Sequence, residues 1–125
     1  MRETPHRDDA PVTVVGAGPA GALMATYLAR QGHDVVVYES RPDLRRTDID
    51  SGRSINLALA TRGIVPLVDV GVIERVDAIT IPMRGRMVHV VGAPSPDAAD
   101  LQAYGSKEHE VIHSVSRTDL NAILL

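Results

Sequence analysis

Residues 12–21 read VTVVGAGPAG, a β-branched run that leads directly into a glycine-rich segment. The run is short and almost wholly apolar, which is typical of a buried parallel strand. Gly16, Gly18 and Gly21 then match the pattern G-x-G-x-x-G, which is specific only where a strand precedes it and a helix follows. Residues 22–31 supply that helix, because they are rich in Ala and Leu with apolar side chains at helical spacing.

A second strand follows this helix. Residues 35–38 (VVVY) are again β-branched, and Gly32 stands where a residue that ends a helix is expected. Strand, glycine-rich turn, helix and strand within about 30 residues predict a βαβ unit. The predicted fold class is therefore α/β, built around a Rossmann-like βαβ unit.

The chemistry of such a unit is nucleotide binding. Its first glycine permits a tight turn, the second lets the backbone approach a pyrophosphate, and the third lets helix and strand pack closely. The helix N-terminus presents free N–H groups and a partial positive charge to the phosphates. Glu39 ends the second strand at the spacing of the acid that accepts from ribose hydroxyls. Its carboxylate would repel a 2′-phosphate, so this site favours FAD or NAD over NADP. A glycine-rich turn that binds nothing is the alternative.

The chain beyond residue 55 is predicted to add helices. We expect residues 56–60 to be helical and Thr61 to cap a further helix that runs towards residue 70. Pro66 complicates that helix, since proline removes a backbone donor and is tolerated near a helix start.

Two alternating segments predict a β-hairpin. Residues 81–91 are predicted to form one strand, residues 92–97 a turn, and the acidic stretch after them a loop. Residues 110–116 alternate again and are predicted to be the return strand. Ser116 is then predicted to cap a final helix.

The composition excludes several classes of protein. Cysteine is absent, so disulfides, iron–sulfur clusters, thiolate zinc sites and a cysteine nucleophile are ruled out. A net charge of -3 provides no basic field for nucleic acid. No run approaches the roughly 20 apolar residues of a membrane helix, and the polar start does not resemble a signal peptide. We therefore expect a cytoplasmic protein.

Residues 109–113 read HEVIH, which matches the zinc-protease pattern H-E-x-x-H. On a helix the two histidines would lie one turn apart, and Glu110 would be the general base. The surrounding residues alternate as in a strand, however, where residues four apart are separated by about 13 Å and cannot share one ion. We therefore expect no metal site here.

Four segments carry a resemblance to a known family: residues 52–63 (GRSINLALATRG), 81–87 (IPMRGRM), 104–107 (YGSK) and 114–117 (SVSR). With the nucleotide motif they closely resemble the kynurenine 3-monooxygenase family of flavin-dependent aromatic hydroxylases, over nearly the whole chain from Val12 onward. The resemblance implies FAD and NADPH as cofactors. It implies O₂ and L-kynurenine as substrates, with 3-hydroxykynurenine as the product. The cofactor carries the chemistry while the protein positions the ring and excludes water, so no catalytic acid or base is implied.

The resemblance also implies which residues form the site. Those expected to hold FAD are Gly16, Gly18, Ala20, Gly21, Glu39, Arg41, Ala58 and Arg117. Ala58 is expected on a helix that lines the flavin pocket, and Arg117 at the first turn of the last helix. Arg86 and Tyr104 are expected to bind substrate, because a guanidinium binds the L-kynurenine carboxylate in bidentate fashion and the phenol adds a hydrogen bond. Arg84 is expected to be a solvated strand-edge residue.

Two later flavin motifs of the family have no counterpart here, because the sequence contains neither an Asp-Gly nor a Gly-Asp pair. We expect a polar tail over residues 1–11 and an incomplete flavin hydroxylase domain over residues 12–125, inactive alone and poor at binding FAD. No membrane segment is expected. Three alternatives stay open: a related hydroxylase of another aromatic acid, a nucleotide-binding module without catalysis, and a truncated product without function.

Overall fold

The computed structural model describes residues 10–46, 55–92, 95, 99–107 and 110–125. In chain order the elements are β1 (Val12–Val15), α1 (Pro19–Arg30), β2 (Val35–Tyr38), β3 (Asn56–Leu59), α2 (Thr61–Asp69), α3 (Ile73–Asp77), β4 (Ile81–Met83), β5 (Gly85–His89), β6 (Ala99–Ala103), β7 (Ile112–Ser116) and α4 (Arg117–Leu124). The described strands form three small sheets, with the orders β1-β2, β3-β7-β4 and β5-β6. No helix in the described part of the chain has the length and apolar character needed to cross a bilayer.

The first sheet confirms the predicted βαβ unit. β1 and β2 pair in parallel, with Val12 opposite Val35 and Val15 opposite Tyr38. α1 connects them and ends at Arg30, with Gln31 as its C-cap, and Gly32 adopts a left-handed φ of 89°. That conformation is readily available to glycine, which explains why the helix stops there.

The main core lies between the second sheet and the helices α2, α3 and α4. Its buried side chains are Leu67, Val76, Val115 and Leu120. Leu57 is paired with Val115 in the register of β3 and β7, and both Leu57 and Leu59 pack against this core. Since side chains alternate along a strand, Asn56 and Ala58 lie on the opposite, exposed face.

The prediction of a helix over residues 56–60 was wrong, because Asn56–Leu59 form β3. Leu and Ala favour helices locally, but antiparallel pairing with β7 decides the conformation of this segment. The following helix is confirmed, although Ala60 rather than Thr61 is its N-cap. α2 also continues past Pro66 to Asp69, so the proline lies inside the helix.

The predicted hairpin is confirmed in part: β4 pairs with β7 in antiparallel fashion, as predicted, whereas β5 pairs with β6. Residues 81–91 do not form one strand: β4 and β5 are separated at Arg84 and belong to different sheets. The return strand of β5 is β6, in the acidic stretch predicted as a loop. The strand predicted at residues 110–116 is confirmed over Ile112–Ser116 as β7, which pairs with β3 and β4. Residues 99–103 (ADLQA) contain no β-branched side chain, so their strand conformation depends on the cross-strand hydrogen bonds.

Candidate functional site

The glycine-rich loop has the geometry that its sequence predicts. Gly16 has a φ of 95° and donates its N–H to the carbonyl oxygen of Tyr38 at 2.7 Å. A Cβ added at Gly21 would overlap the carbonyl oxygen of Gly16 and lie 3.5 Å from Cγ1 of Val14. Because α1 approaches β1 so closely here, the position accepts only glycine.

The N-terminus of α1 is open to an anion. Its N-cap is Gly18, which supplies no side-chain hydrogen bond, and Pro19 begins the helix. The first turn contains no acidic residue, and Ala20 in that turn is exposed. A Cβ added at Gly18 would meet nothing within 4 Å. The first-turn N–H groups and the positive end of the helix dipole therefore face open space beside the loop.

Glu39 ties the glycine loop to the segment that follows β2. Its Oε2 accepts the backbone N–H of Ala17 at 2.8 Å and Nη2 of Arg41 at 2.9 Å. Its Oε1 accepts the backbone N–H of Arg41 at 2.9 Å and Nε of Arg41 at 3.0 Å. The hydrogen bonds from the Arg41 side chain, and then those from the two backbone amides, hold the pKa of Glu39 well below its ordinary value. The carboxylate is therefore ionised at neutral pH.

A cavity of about 480 Å³ adjoins this network, between α1, β2, the segment after β2 and α4. Glu39 and Arg41 line it together with apolar side chains such as Ala22, Val37 and Leu44. Its volume lies in the range of small-molecule sites, which is roughly 300–1,000 Å³. Asn121 of α4 also lines it, is only 3% exposed, and leaves its Oδ1 without a hydrogen-bond partner among the described residues.

Ala58 and Arg117 lie at the second sheet. Ala58 is on the exposed face of β3, opposite Ser114, and not on the helix that we expected. Arg117 begins α4, as predicted, and donates its backbone N–H to the carbonyl oxygen of Ile55 at 3.3 Å. Ser116 caps this helix, since its Oγ accepts the N–H of Asp119 at 3.3 Å.

Arg86 and Tyr104 lie on the third sheet and share one of its faces. Arg86 is opposite Gln102 in the register of β5 and β6, and its Nε donates to Gln102 Oε1 at 3.0 Å. Tyr104 follows β6 and donates its backbone N–H to the carbonyl oxygen of Arg84 at 3.0 Å. Arg86 and Gln102 are directly opposite each other and therefore project from the same face. The hydrogen bond from Tyr104 to Arg84 continues this register by one pair beyond the strand ends, which places Arg84 and Tyr104 on that face as well. Arg84, Arg86 and Tyr104 are all exposed.

The last two residues of the H-E-x-x-H segment, Ile112 and His113, belong to β7, whereas Glu110 and Val111 precede that strand. His113 lies within β7, with Nδ1 at 3.3 Å from Oγ1 of Thr80. Oε2 of Glu110 accepts the backbone N–H groups of Ser106 at 2.7 Å and Lys107 at 3.2 Å, so this carboxylate holds the loop after Tyr104. His109 lies outside the described residues. Within the described ranges, no group of three or more metal-ligating side chains comes together.

Comparison with known proteins shows what the chain is similar to. The sequence model of the NAD(P)-binding Rossmann-like domain matches residues 14–72. Kynurenine 3-monooxygenases from Legionella pneumophila, Stenotrophomonas maltophilia and Xanthomonas axonopodis are 45%, 49% and 50% identical to this chain over 91% of its length. The resemblance to kynurenine 3-monooxygenases is confirmed. The chain spans 24% of the length of these relatives.

Two solved structures share the fold. The peptidyl tryptophan dihydroxylase QhpG is 23% identical, with a TM-score of 0.57 over 93% of this chain and 22% of its own. The p-nitrophenol 4-monooxygenase PnpA from Pseudomonas putida is 17% identical, with a TM-score of 0.63 over 91% of this chain and 26% of its own. At these identities the likeness supports the Rossmann-like α/β fold alone.

Relative to the residues implied by the kynurenine 3-monooxygenase resemblance, the structure adds two that sequence reasoning missed, Gln102 and Asn121. Gln102 could be found only from the β5–β6 register, since residues 99–103 were predicted as a loop. Asn121 stands in an otherwise amphipathic helix, where a polar residue on the buried face is the signal.

Proposed function

We propose that this chain forms the N-terminal, FAD-binding portion of an NADPH-dependent monooxygenase that hydroxylates L-kynurenine to 3-hydroxykynurenine. The observation that carries the proposal of FAD binding is the hydrogen bond from Ala17 to Glu39, which joins the glycine loop to an ionised acid at the end of β2. The identity of 45–50% to kynurenine 3-monooxygenases supports the proposal that L-kynurenine is the substrate.

The residues present fit the ADP half of FAD. The first-turn amides of α1 would bind the pyrophosphate, because no side chain caps them and Gly18 leaves space for the approach. Glu39 would accept from the ribose hydroxyls. A carboxylate has about four acceptor positions, and Glu39 already receives four donors, of which two come from the Arg41 side chain. Ribose binding would therefore replace the Arg41 guanidinium on Glu39.

Ala58 and Arg117 are proposed to lie on the flavin side of the site. Ala58 presents a small side chain on an exposed sheet face, and Arg117 carries a positive charge at the start of α4. When bound, FAD would accept reducing equivalents from NADPH and activate O₂ for insertion into the aromatic ring. The protein's contribution is to hold the ring in place and exclude water.

Arg86 and Tyr104 are proposed to bind the amino-acid end of the substrate. The Arg86 guanidinium would pair with the carboxylate of L-kynurenine, and the Tyr104 hydroxyl would donate a further hydrogen bond. Both project from one face of the third sheet, so a single ligand can meet both side chains. No described residue is proposed as a catalytic acid or base.

A chimera tests this proposal. Residues 12–125 would replace the matching N-terminal quarter of the Stenotrophomonas maltophilia relative, and flavin absorbance would verify assembly. We expect NADPH oxidation that L-kynurenine stimulates and that yields 3-hydroxykynurenine. Arg86→Ala should raise KM for L-kynurenine by about 10-fold or more while flavin content is retained. A flavin-loaded chimera that oxidises NADPH without any response to L-kynurenine would contradict the substrate assignment, and stimulation by 4-hydroxybenzoate instead would indicate another aromatic acid.

A nucleotide-binding module without catalysis is the second candidate. One observation favours it: the network of Ala17, Glu39 and Arg41 is complete within the βαβ unit. It predicts that the 125-residue chain binds ADP saturably by calorimetry and that the chimera gives no hydroxylated product. If product forms, this candidate is excluded.

A further inference from the structure

On the exposed face of the β5–β6 sheet, the side chain of Arg86 is hydrogen-bonded to an uncharged side chain, that of Gln102. Nε of Arg86 donates to Oε1 of Gln102 at 3.0 Å, and the two residues are directly opposite in the register. The ion pairs of the described residues involve Arg41, Arg45 and Arg46 but not Arg86. Gln102 therefore orients the guanidinium without neutralising it, whereas Glu39 both orients and neutralises Arg41.

The backbone fixes the relative position of these two side chains. A Cβ added at Gly85 would lie 3.0 Å from the carbonyl carbon of Gln102 and 3.0 Å from Cα of Ala103. β5 and β6 thus approach closely beside Arg86, as only a glycine permits. The bond from Tyr104 N–H to Arg84 extends the same register to the tyrosine.

The geometry of the guanidinium then limits how it can meet a carboxylate. Arginine has five N–H donors, and a carboxylate binds in parallel either to the Nε edge or to the edge formed by Nη1 and Nη2. Gln102 occupies the Nε–H. The edge left for a ligand is the one formed by Nη1 and Nη2, on the face that also carries Tyr104.

We infer that Gln102 is a positioning residue that holds Arg86 for end-on binding of an amino-acid carboxylate through Nη1 and Nη2. This inference rests on the proposed function, in which Arg86 meets the substrate carboxylate. Gln102 itself does not contact the substrate in this arrangement. Gln102 therefore affects the affinity for the substrate carboxylate and does not affect the reaction at the aromatic ring.

The kinetic test uses the chimera described above. Gln102→Leu should raise KM for L-kynurenine about 3- to 10-fold, the effect of one net hydrogen bond, with kcat within about 2-fold of the parent. Gln102→Glu should raise KM further, because its carboxylate would pair with Arg86 and compete with the substrate. Leu101→Ala is the matched control, since Leu101 is the preceding residue of β6, projects from the opposite face and is 63% exposed; its KM should equal that of the parent.

Two further readouts separate positioning from a general structural effect. The Gln102→Leu effect should disappear with the decarboxylated amine analogue of L-kynurenine, which has no group for Arg86 to bind. It should also disappear in an Arg86→Ala background. An effect of equal size with the analogue, or in that background, would overturn the inference, as would an unchanged KM in the single variant.

A chimera that does not turn over L-kynurenine would contradict the proposed function. In that case, the role of Gln102 in positioning Arg86 can still be measured on the 125-residue chain. Hydrogen exchange of the Arg86 Nε–H, followed by NMR, should accelerate at least 3-fold in Gln102→Leu and remain at the parent rate in Leu101→Ala. Equal exchange rates in the parent and Gln102→Leu would show that Gln102 does not hold Arg86.

Discussion

The backbone N–H of Ala17 lies 2.8 Å from Oε2 of Glu39, although the two residues are 22 positions apart. This hydrogen bond joins the glycine loop at the end of β1 to the end of β2, the edge at which parallel α/β sheets bind ligands. The same carboxylate also holds Arg41. The shape of the loop and the position of the arginine therefore depend on one ionised side chain.

Glu39→Gln should weaken ADP binding to the chain about 10- to 100-fold. The amide retains one acceptor oxygen but replaces the other with a donor, so it loses charge-assisted hydrogen bonds worth roughly 1.5–3 kcal/mol. Isothermal titration calorimetry with ADP measures the change. Glu74→Gln removes an exposed carboxylate of α3 and should leave ADP affinity at the parent value. Equal ADP affinities for the parent and Glu39→Gln would show that Glu39 does not contribute to ADP binding.

The free energy of unfolding should decrease as the pH is lowered, in part because Glu39 becomes protonated. Hydrogen bonds from Arg41 lower the pKa of this carboxyl in the folded state, so the stabilisation is present above its unfolded pKa, which is about 4.3, and is lost as pH falls below that value. Asp43 behaves likewise, because Arg45 lowers its pKa. Urea unfolding at pH 6 should show Glu39→Gln less stable than the parent, and by pH 3 the gap should narrow. A gap that stays constant over this range would contradict the assignment.

Gly21→Ala and Gly18→Ala should separate folding from binding. The Cβ at position 21 meets the Gly16 carbonyl, so this variant should lose about 1–3 kcal/mol of stability. The Cβ at position 18 meets no protein atom within 4 Å, and the φ of −67° suits alanine. Gly18→Ala should therefore melt within a few degrees of the parent yet bind ADP at least about 10-fold more weakly, since its methyl group occupies the path of the pyrophosphate. Thermal melts and ADP titrations of both variants give the comparison.

The βαβ unit could be predicted because its local signals agree: β-branched strands, a glycine turn and an Ala-rich helix all favour the same fold. Residues 56–60 could not, since Leu and Ala there favour a helix while pairing with a strand more than 50 residues later makes them β3. The residues of the candidate site likewise include some that local sequence predicts and some that it does not. Glu39 and Arg41 follow their strand directly in sequence, whereas the partner of Arg86 emerges only from the register of β5 with the unpredicted strand β6.

Tyr27→Phe should loosen the contact between α1 and α2. The Tyr27 hydroxyl donates to Oδ2 of Asp69 at 2.7 Å, beside a 2.8 Å bond from Arg30 to the carbonyl oxygen of Asp69. The bond to Asp69 raises the pKa of Tyr27. The stabilisation is therefore fully present below the unfolded pKa of about 10 and is lost as pH rises through the folded value.

The free energies of unfolding of the parent and Tyr27→Phe should consequently differ at pH 8 and converge as the pH rises through the raised pKa of Tyr27 in the folded state. The difference in ultraviolet absorbance between the two proteins isolates the titration of Tyr27, which should occur above pH 10. Tyr104→Phe, on the third sheet, is the control and should unfold like the parent at pH 8. If Tyr27→Phe were as stable as the parent at pH 8, the hydrogen bond would make no net contribution.

Asn121→Leu should stabilise the chain. Asn121 is 3% exposed, and its Oδ1 has no partner among the described residues, a situation that costs about 1–3 kcal/mol. Leucine has the same branched shape, and its larger side chain would extend into the cavity beside Leu124 and the apolar lining. The melting temperature should rise by roughly 4 °C for each kcal/mol gained, since the chain is intermediate in length between small and medium-sized domains. Asn121→Asp is the opposing control: it places a charge at the same buried position and should lower the melting temperature. A fall in the melting temperature of Asn121→Leu would mean that the Asn121 amide contributes more through its remaining contacts than its unpaired oxygen costs.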